Sequence, residues 1–315
     1  MKFIINPAAR GGKARKLWEE LKPEIEKDFQ DAKSPISYEF TKHQMDAAEI
    51  AANCSKEKCD TVVVFGGDGT INEVVNGLMR IEKSKRPKLG IIPYGTGGDL
   101  IKTIDIPKHP RLSLKILKNS KSKFIDIGLC EFVKKNGEKT KRYYINITEF
   151  GVGGYVADMV NRYGKWARGT IPFLIFAIAC NFTYKNRNVK IETDSEDERF
   201  KSFESNIRVV AVANGKVYGG GMIIAPFADP FDGLFDIVVV KDISFLETLT
   251  KIPLLYQGEK GIKKVEKTGK IAYFRARKLK IYNSENIPIE MEGEVPGHTP
   301  QYFEILPSEI EIIVP

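Results

Sequence analysis

Cysteine is scarce in this chain: four residues among 315, Cys54, Cys59, Cys130 and Cys180, with no CxxC pair. That density excludes a disulfide scaffold, and reduced structural thiols in a cytoplasmic protein are the expectation. Long apolar runs are also missing. The longest, IPFLIFAIAC from Ile171 to Cys180, has 10 residues, about half of the ~20 that a membrane-spanning helix needs. At the N-terminus only Phe3, Ile4 and Ile5 precede Asn6 and Pro7, too short an apolar core for a secretory signal. No internal repeat, low-complexity segment or nucleic-acid-binding motif is visible. Nor are the basic residues gathered in a block: the net charge of +8 is spread over KARK, KSKRPK, KNSKSK and YKNRNVK. Such a surface attracts anions, whether nucleotide phosphate or anionic lipid, and is otherwise simply solvated.

What is present is the composition of a soluble globular protein, 42% hydrophobic and 29% charged. At 315 residues two domains are expected, because single cores stop growing near ~250–300 residues. The first 128 residues alternate apolar strands with helical stretches: KFIIN then ARKLWEELKPEIEKDF, SYEFTK then QMDAAEIAANC, TVVVF then INEVVNGLMRIE, KLGIIP then DLIKTI. Repeated βα units predict a doubly wound parallel sheet with helices on both faces. From about Asp126 strand-like segments dominate (IDIGLCEFV, TKRYYINIT, NVKIETD, NIRVVAVANG, MIIAPF, LFDIVVVK, KLKIYN, PIEMEG), with helical interruptions near 155–184 and 244–260. Their turns and spacing predict an all-β second domain, sandwich or barrel, over 129–301.

Sheets of the first kind bind ligands beyond the carboxyl ends of their strands. Three glycine-bearing turns fall there: NPAARGG after KFII, GGDGT after TVVVF, and PYGTGGD after LGII. Gly66, Gly67 and Gly69 can take backbone angles closed to other residues. The turn is then either a tight strand-to-helix connection, capped by Asp68 or Thr70, or a bare backbone that receives phosphate. In the second case Asp68 suits a cation that accompanies the phosphate.

These turns, with two later segments, resemble the diacylglycerol kinase family, specifically its soluble bacterial lipid kinases. NPAARGG resembles the family's N-terminal NP-plus-glycine turn, GGDGTINEV its GGDGT-x-NEV signature and PYGTGGD its P-x-GT-x-ND turn. GGGMIIAPFADPFDGLFDI resembles its glycine, proline and DG run, and EMEGE its terminal DGE. GGDGT alone also occurs in NAD kinases and phosphofructokinases; the neighbouring strings favour lipid kinases.

The resemblance implies an α/β nucleotide-binding domain followed by a β-sandwich lipid domain, with residues 302–315 returning to the first. It implies an ATP-dependent, Mg²⁺-dependent transfer to a hydroxyl of a membrane lipid such as diacylglycerol. By motif position, Asn6, Gly11, Gly12, Thr41, Gly66, Gly67, Asp68, Gly69, Thr70, Asn72, Glu73 and Thr96 would hold the nucleotide. Asp68 would meet the metal, Asp126 in FIDIG would share its electrostatic network, and Glu294 would be the general base. ADPFDGL would form a second, structural metal site from Asp232 with the carbonyls of Asp229 and Leu234. Bland readings remain for several: Thr41, Thr70 and Asn72 as caps or turn residues, Asp126 as a hydrogen-bonded hinge, ADPFDGL as an ordinary turn.

Two departures stand out. Glu292 replaces the aspartate of DGE, which the resemblance places in the catalytic group near the metal and the transferred phosphate, keeping the charge but moving it by a methylene; a ~1 Å misplacement can cost ~100-fold in rate. Gly98 replaces an asparagine. The rival expectations are an NAD kinase-like small-molecule kinase and a catalytically weakened nucleotide- or lipid-binding protein. The partner expected is a lipid at the inner face of the membrane, contacted peripherally, with no nucleic acid; a homodimer is a candidate assembly. GKWARGTIPFLIFAIACNFTYKN resembles the family's helical element near the lipid-entry side and reads either as an apolar helix packed on the β domain or as a membrane-docking surface.

Overall fold

The computed structural model describes residues 1–30, 35–57, 59–119, 121–163, 170–283 and 285–315. The first domain is built from β1 (Lys2–Ile5), α1 (Ala9–Asp28), β2 (Ser37–Phe40), α2 (Asp46–Asn53), β3 (Thr61–Gly66), α3 (Asp68–Leu78), β4 (Lys88–Pro93), α4 (Asp99–Thr103) and α5 (Pro110–Asn119). Its strands pair in parallel in the order β4-β3-β1-β2. Alternation along each strand sends side chains to opposite faces. Ile4, Val62 and Val64 pack with α2 and α3, whereas Phe3, Ile5, Val63 and Phe65 pack with Trp18, Leu21 and Ile25 of α1 and Leu114 and Leu117 of α5. The doubly wound expectation holds, with α5 a helix that the sequence pattern did not disclose.

The second domain contains β5 (Ser122–Val133), β6 (Lys139–Tyr144), β7 (Ile147–Gly151), α6 (Val152–Tyr163), α7 (Thr170–Thr183), β8 (Arg187–Thr193), β9 (Ser202–Ala213), β10 (Val217–Tyr218), β11 (Met222–Ile223), β12 (Phe235–Lys241), α8 (Phe245–Leu255), α9 (Glu259–Glu266), β13 (Ile271–Ala276), β14 (Lys278–Tyr282), β15 (Ile289–Met291) and β16 (His298–Ile313). Three segments differ from the sequence reading. MIIAPF contributes only the two residues of β11, IAYFRA forms an additional strand β13, and TKRYYINIT is split into β6 and β7 at Ile145-Asn146.

The two domains share one 14-stranded sheet. β5 and β16 run antiparallel along both, and the closing EIEIIVP is the end of β16, where Ile312 pairs in parallel with Leu89 of β4. The register of the β5–β16 pair breaks between Leu306 and Ile310. Asp126 sits at that break: its Oδ1 accepts from Ser308 N at 2.7 Å and its Oδ2 from Gly233 N at 2.7 Å. With 1% exposure and both oxygens engaged, Asp126 clamps the bulge and the DPFDG turn together.

Candidate active site

A cavity of about 910 Å³ opens between the domains. At one end lie Asn6, Arg10, Gly67, Asp68, Gly69, Thr70, Glu73 and Thr96. α3 begins at Asp68 with Gly67 as its N-cap and carries no side-chain cap bond. Neither Asp68 nor Thr70 caps it, so the first N–H groups of α3 are left for an anion at the positive end of the helix. Close approach explains the glycines. A Cβ on Gly67 would meet Gly95 Cα at 3.1 Å, one on Gly95 would meet Gly67 Cα at 2.6 Å, and above Gly69 nothing lies within 4 Å.

Asp68 reaches across to the neighbouring turn instead. Its Oδ2 accepts from Gly98 N at 2.8 Å and its Oδ1 from Asp99 N at 3.1 Å, capping α4. Gly98 has φ 66°, ψ 48°, a left-handed conformation that glycine and asparagine adopt more readily than other residues. The Asn-to-Gly departure therefore keeps the backbone that this cap requires. Asn6 Nδ2 donates to Thr70 Oγ1 at 2.9 Å, tying the first turn to the second. Gly11 and Gly12 are left-handed, with φ 68° and 88°, and face open space. Thr41 ends β2, its N–H bonded to Ile5 O at 2.9 Å; neither it nor the fully buried Asn72 lines the cavity.

In the middle of the cavity stands Glu292. Met291 and Glu294 exchange backbone bonds of 2.8 and 3.0 Å, closing a two-residue hairpin whose central residues, Glu292 and Gly293, have φ 51° and 87°. Two positive φ values define the type I′ turn, for which Asp-Gly is a preferred pair. Glu292 Oε1 accepts from Asn146 N at 2.7 Å and Ile145 N at 3.2 Å, at the break between β6 and β7. Burial, above all, pushes its carboxyl up to about 8, with the charges of Asp68 and Glu290 adding to the rise and the two N–H bonds opposing it.

Glu294, two residues on, is not on the cavity wall. It accepts from Arg142 Nη1 at 2.5 Å and from Gln44 Nε2 at 2.6 Å, joining the hairpin to β6 and to the loop before α2. Asp126 also lies off the cavity, at the bulge. In ADPFDGL, Asp232 pairs with Arg275 and accepts from Leu234 N at 3.1 Å, while Asp229 O receives Asp232 N at 3.3 Å. Among the described residues no group of three or more His, Cys, Asp or Glu is disposed to hold a metal.

Beyond Glu292 the wall turns apolar: Val152, Val156, Val160, Ile224, Val240, Ile252, Leu255 and Val265. The sequence reading missed Glu149, Glu290 and Tyr218, which also line it. The available signal was a glutamate inside each of two otherwise apolar strands, ITEFG and PIEM. Trp166 lies outside the described residues; of the aromatic stretch, Phe182 is 69% exposed. No helix among the described residues is long and apolar enough to cross a membrane.

Known proteins share this fold and domain order. The model of the diacylglycerol kinase catalytic domain matches residues 1–130, and that of the YegS C-terminal NAD kinase beta sandwich-like domain matches residues 146–314. A putative lipid kinase of Streptococcus pneumoniae is 28% identical over 312 residues, spanning 98% of this chain and 96% of that protein. A diacylglycerol kinase of Bacillus subtilis is 27% identical over 318 residues, spanning 100% and 96%. The crystal structure of a putative diacylglycerol kinase from Bacillus anthracis superposes with a TM-score of 0.75 at 27% identity, over 100% of this chain and 94% of that one. Matched in both domains and along nearly its whole length, the chain belongs to the diacylglycerol kinase family.

Proposed function

We propose that the protein is an ATP-dependent, Mg²⁺-dependent lipid kinase that phosphorylates a free hydroxyl of a membrane lipid such as diacylglycerol. One observation carries the reading: a single cavity is lined by the uncapped N-terminus of α3, by the half-buried Glu292 and by a set of apolar side chains. A dinucleotide acceptor gives no reason for walls of Val156, Val240, Ile252 and Leu255, which a hydrocarbon chain would fill.

The free N–H groups of α3, the open space at Gly69 and Arg10 beside them suit the phosphates. Asp68 suits the metal: each carboxylate oxygen accepts one backbone bond and keeps further acceptor capacity. Mg²⁺ needs no more than one or two protein carboxylates beside phosphate and water, and when bound it offsets the charge that develops on the transferred group.

Glu292 is the proton acceptor in this scheme, in place of Glu294. The lipid hydroxyl gives its proton to Glu292 as its oxygen attacks the γ-phosphorus, the bond to the bridging oxygen breaks, and ADP leaves. A carboxyl held near neutrality is matched to that task. The acceptor would come from the inner face of the membrane of a cytoplasmic protein, past exposed Ile178 and Phe182 of α7 and Leu246 and Leu249 of α8. Purified protein, γ-labelled ATP and mixed micelles of diacylglycerol test the reading, with NAD as the competing acceptor. Label in the lipid that disappears on chelation of Mg²⁺ is expected. Label in NAD with none in lipid would overturn it.

A further inference from the structure

The wall between Glu292 and the apolar chamber carries two carboxyls that phosphoryl transfer leaves unused. Glu149 of β7 and Glu290 of β15 are direct cross-strand neighbours, and both line the cavity with Tyr218. Like charges placed directly opposite repel. Among the described residues neither carboxyl is paired with a lysine or arginine. Glu290 accepts from Gly293 N and so steadies the turn that presents Glu292. Burial raises the proton affinity of both carboxyls, and for Glu149 the neighbouring Glu290 raises it further, against a hydrogen bond from Tyr218.

Glu149 is 5% exposed, and its Oε2 has no hydrogen-bond partner. The fold keeps room for this carboxyl: a Cβ on Gly153, in the first turn of α6, would lie 1.2 Å from Glu149 Oε1. A buried acceptor left without a partner is costly, and a ligand that brings a donor to this wall would relieve that cost. Three carboxyls on one cavity wall, Glu149, Glu290 and Glu292, also disfavour an anionic head as they ionise.

We propose that Glu149, with Glu290 and Tyr218, reads the polar head of the acceptor lipid, taking one that bears a hydrogen-bond donor, a second hydroxyl or an ammonium, beside the hydroxyl to be phosphorylated, and disfavouring anionic heads. The proposal rests on the lipid kinase reading and narrows its substrate class. In diacylglycerol the groups next to the free hydroxyl are esters, which only accept. Monoacylglycerol and a long-chain 1,2-amino alcohol supply the donor.

The experiment measures kcat/KM for these three acceptors, matched in chain length and presented in the same micelles, for the wild type, Glu149→Gln and Tyr218→Phe. Comparing acceptors within each variant cancels any loss of folded protein. The wild type is expected to prefer the donor-bearing acceptors by about tenfold, the scale of one hydrogen bond left unmade. Glu149→Gln, which keeps one carbonyl acceptor, replaces the other oxygen by an amide donor and cannot ionise, should reduce the preference or abolish it, and Tyr218→Phe should reduce it. Equal ratios in all three proteins would overturn this assignment alone. No transfer from the wild type to any of the three would overturn the lipid kinase reading with it.

Discussion

Replacing Glu292 by glutamine should stabilise the ligand-free protein at high pH while abolishing transfer. In the folded chain the carboxyl is raised from 4.5 to about 8, chiefly by burial. Between those values the native state holds a proton that the unfolded chain has released, so unfolding free energy falls as pH rises. The contribution is fully present below 4.5 and lost as pH passes about 8. At ~1.4 kcal/mol per pH unit the ceiling is ~5 kcal/mol, and relaxation or water entry around the charge reduces the working figure to about 2–3 kcal/mol. Glutamine is nearly isosteric, and its carbonyl can still accept from Asn146 N and Ile145 N, so the native hydrogen bonds survive. Glu149 and Glu290 are raised in the same direction and tilt the curves of both proteins, so the difference between them reports Glu292 together with its coupling to Glu290. Urea denaturation from pH 5 to 9 measures it: the curves should meet near pH 5 and diverge to about 2–3 kcal/mol in favour of the variant near pH 8.5. Parallel curves would refute the raised proton affinity of this carboxyl, and undiminished turnover in the same variant would refute its proposed role as base.

Three further substitutions separate the parts of the site. Glu294→Gln breaks a partly exposed pair with Arg142 and should cost about 0.5–1 kcal/mol with less than about tenfold loss of kcat; a loss as deep as that of Glu292→Gln would return the base to Glu294. Asp68→Asn keeps an acceptor for only one of the N–H groups of Gly98 and Asp99. It should lower transfer by about 100-fold or more while circular dichroism stays unchanged, and near-normal turnover would remove Asp68 from the mechanism. Gly95→Ala places a Cβ 2.6 Å from Gly67 Cα, so the two turns must part. KM for ATP should rise about tenfold or more with a smaller change in kcat, and an unaltered KM would show that the phosphates do not sit between them.

The parts of the site legible in the sequence are those in which local backbone demand and chemistry coincide. GGDGT and PYGTGGD are conspicuous because two turns in contact need glycine, and EGE because a two-residue turn needs positive φ at both centres. The partners of those motifs are not local. Nothing within GGDGT says that Asp68 caps α4 rather than α3, because the receiving N–H groups lie 30 residues on. FIDIG looks like part of the carboxylate cluster until Ser308, 182 positions away, is seen bonded to it. Glu149 and Glu290 were hidden for the opposite reason: β7 and β15 are short and apolar, and only their pairing puts two glutamates face to face.

The same pairing logic explains how Glu292, the proposed base on one domain, keeps its distance from the GGDGT turn, the proposed phosphate site on the other. α3 begins at the phosphate turn and, two turns later, presents Asn76. The Asn76 side chain takes both backbone groups of one residue on β6, donating to Tyr143 O at 2.8 Å and accepting from Tyr143 N at 3.0 Å. Two and three residues further along, Ile145 N and Asn146 N hold Glu292 Oε1. The GGDGT turn, α3, β6 and Glu292 are thus linked through hydrogen-bonded backbone rather than through flexible side chains alone. Where the resemblance puts an aspartate, the extra methylene of Glu292 ends on fixed donors: the same two N–H groups that hold the side chain in place also limit how far burial raises its carboxyl.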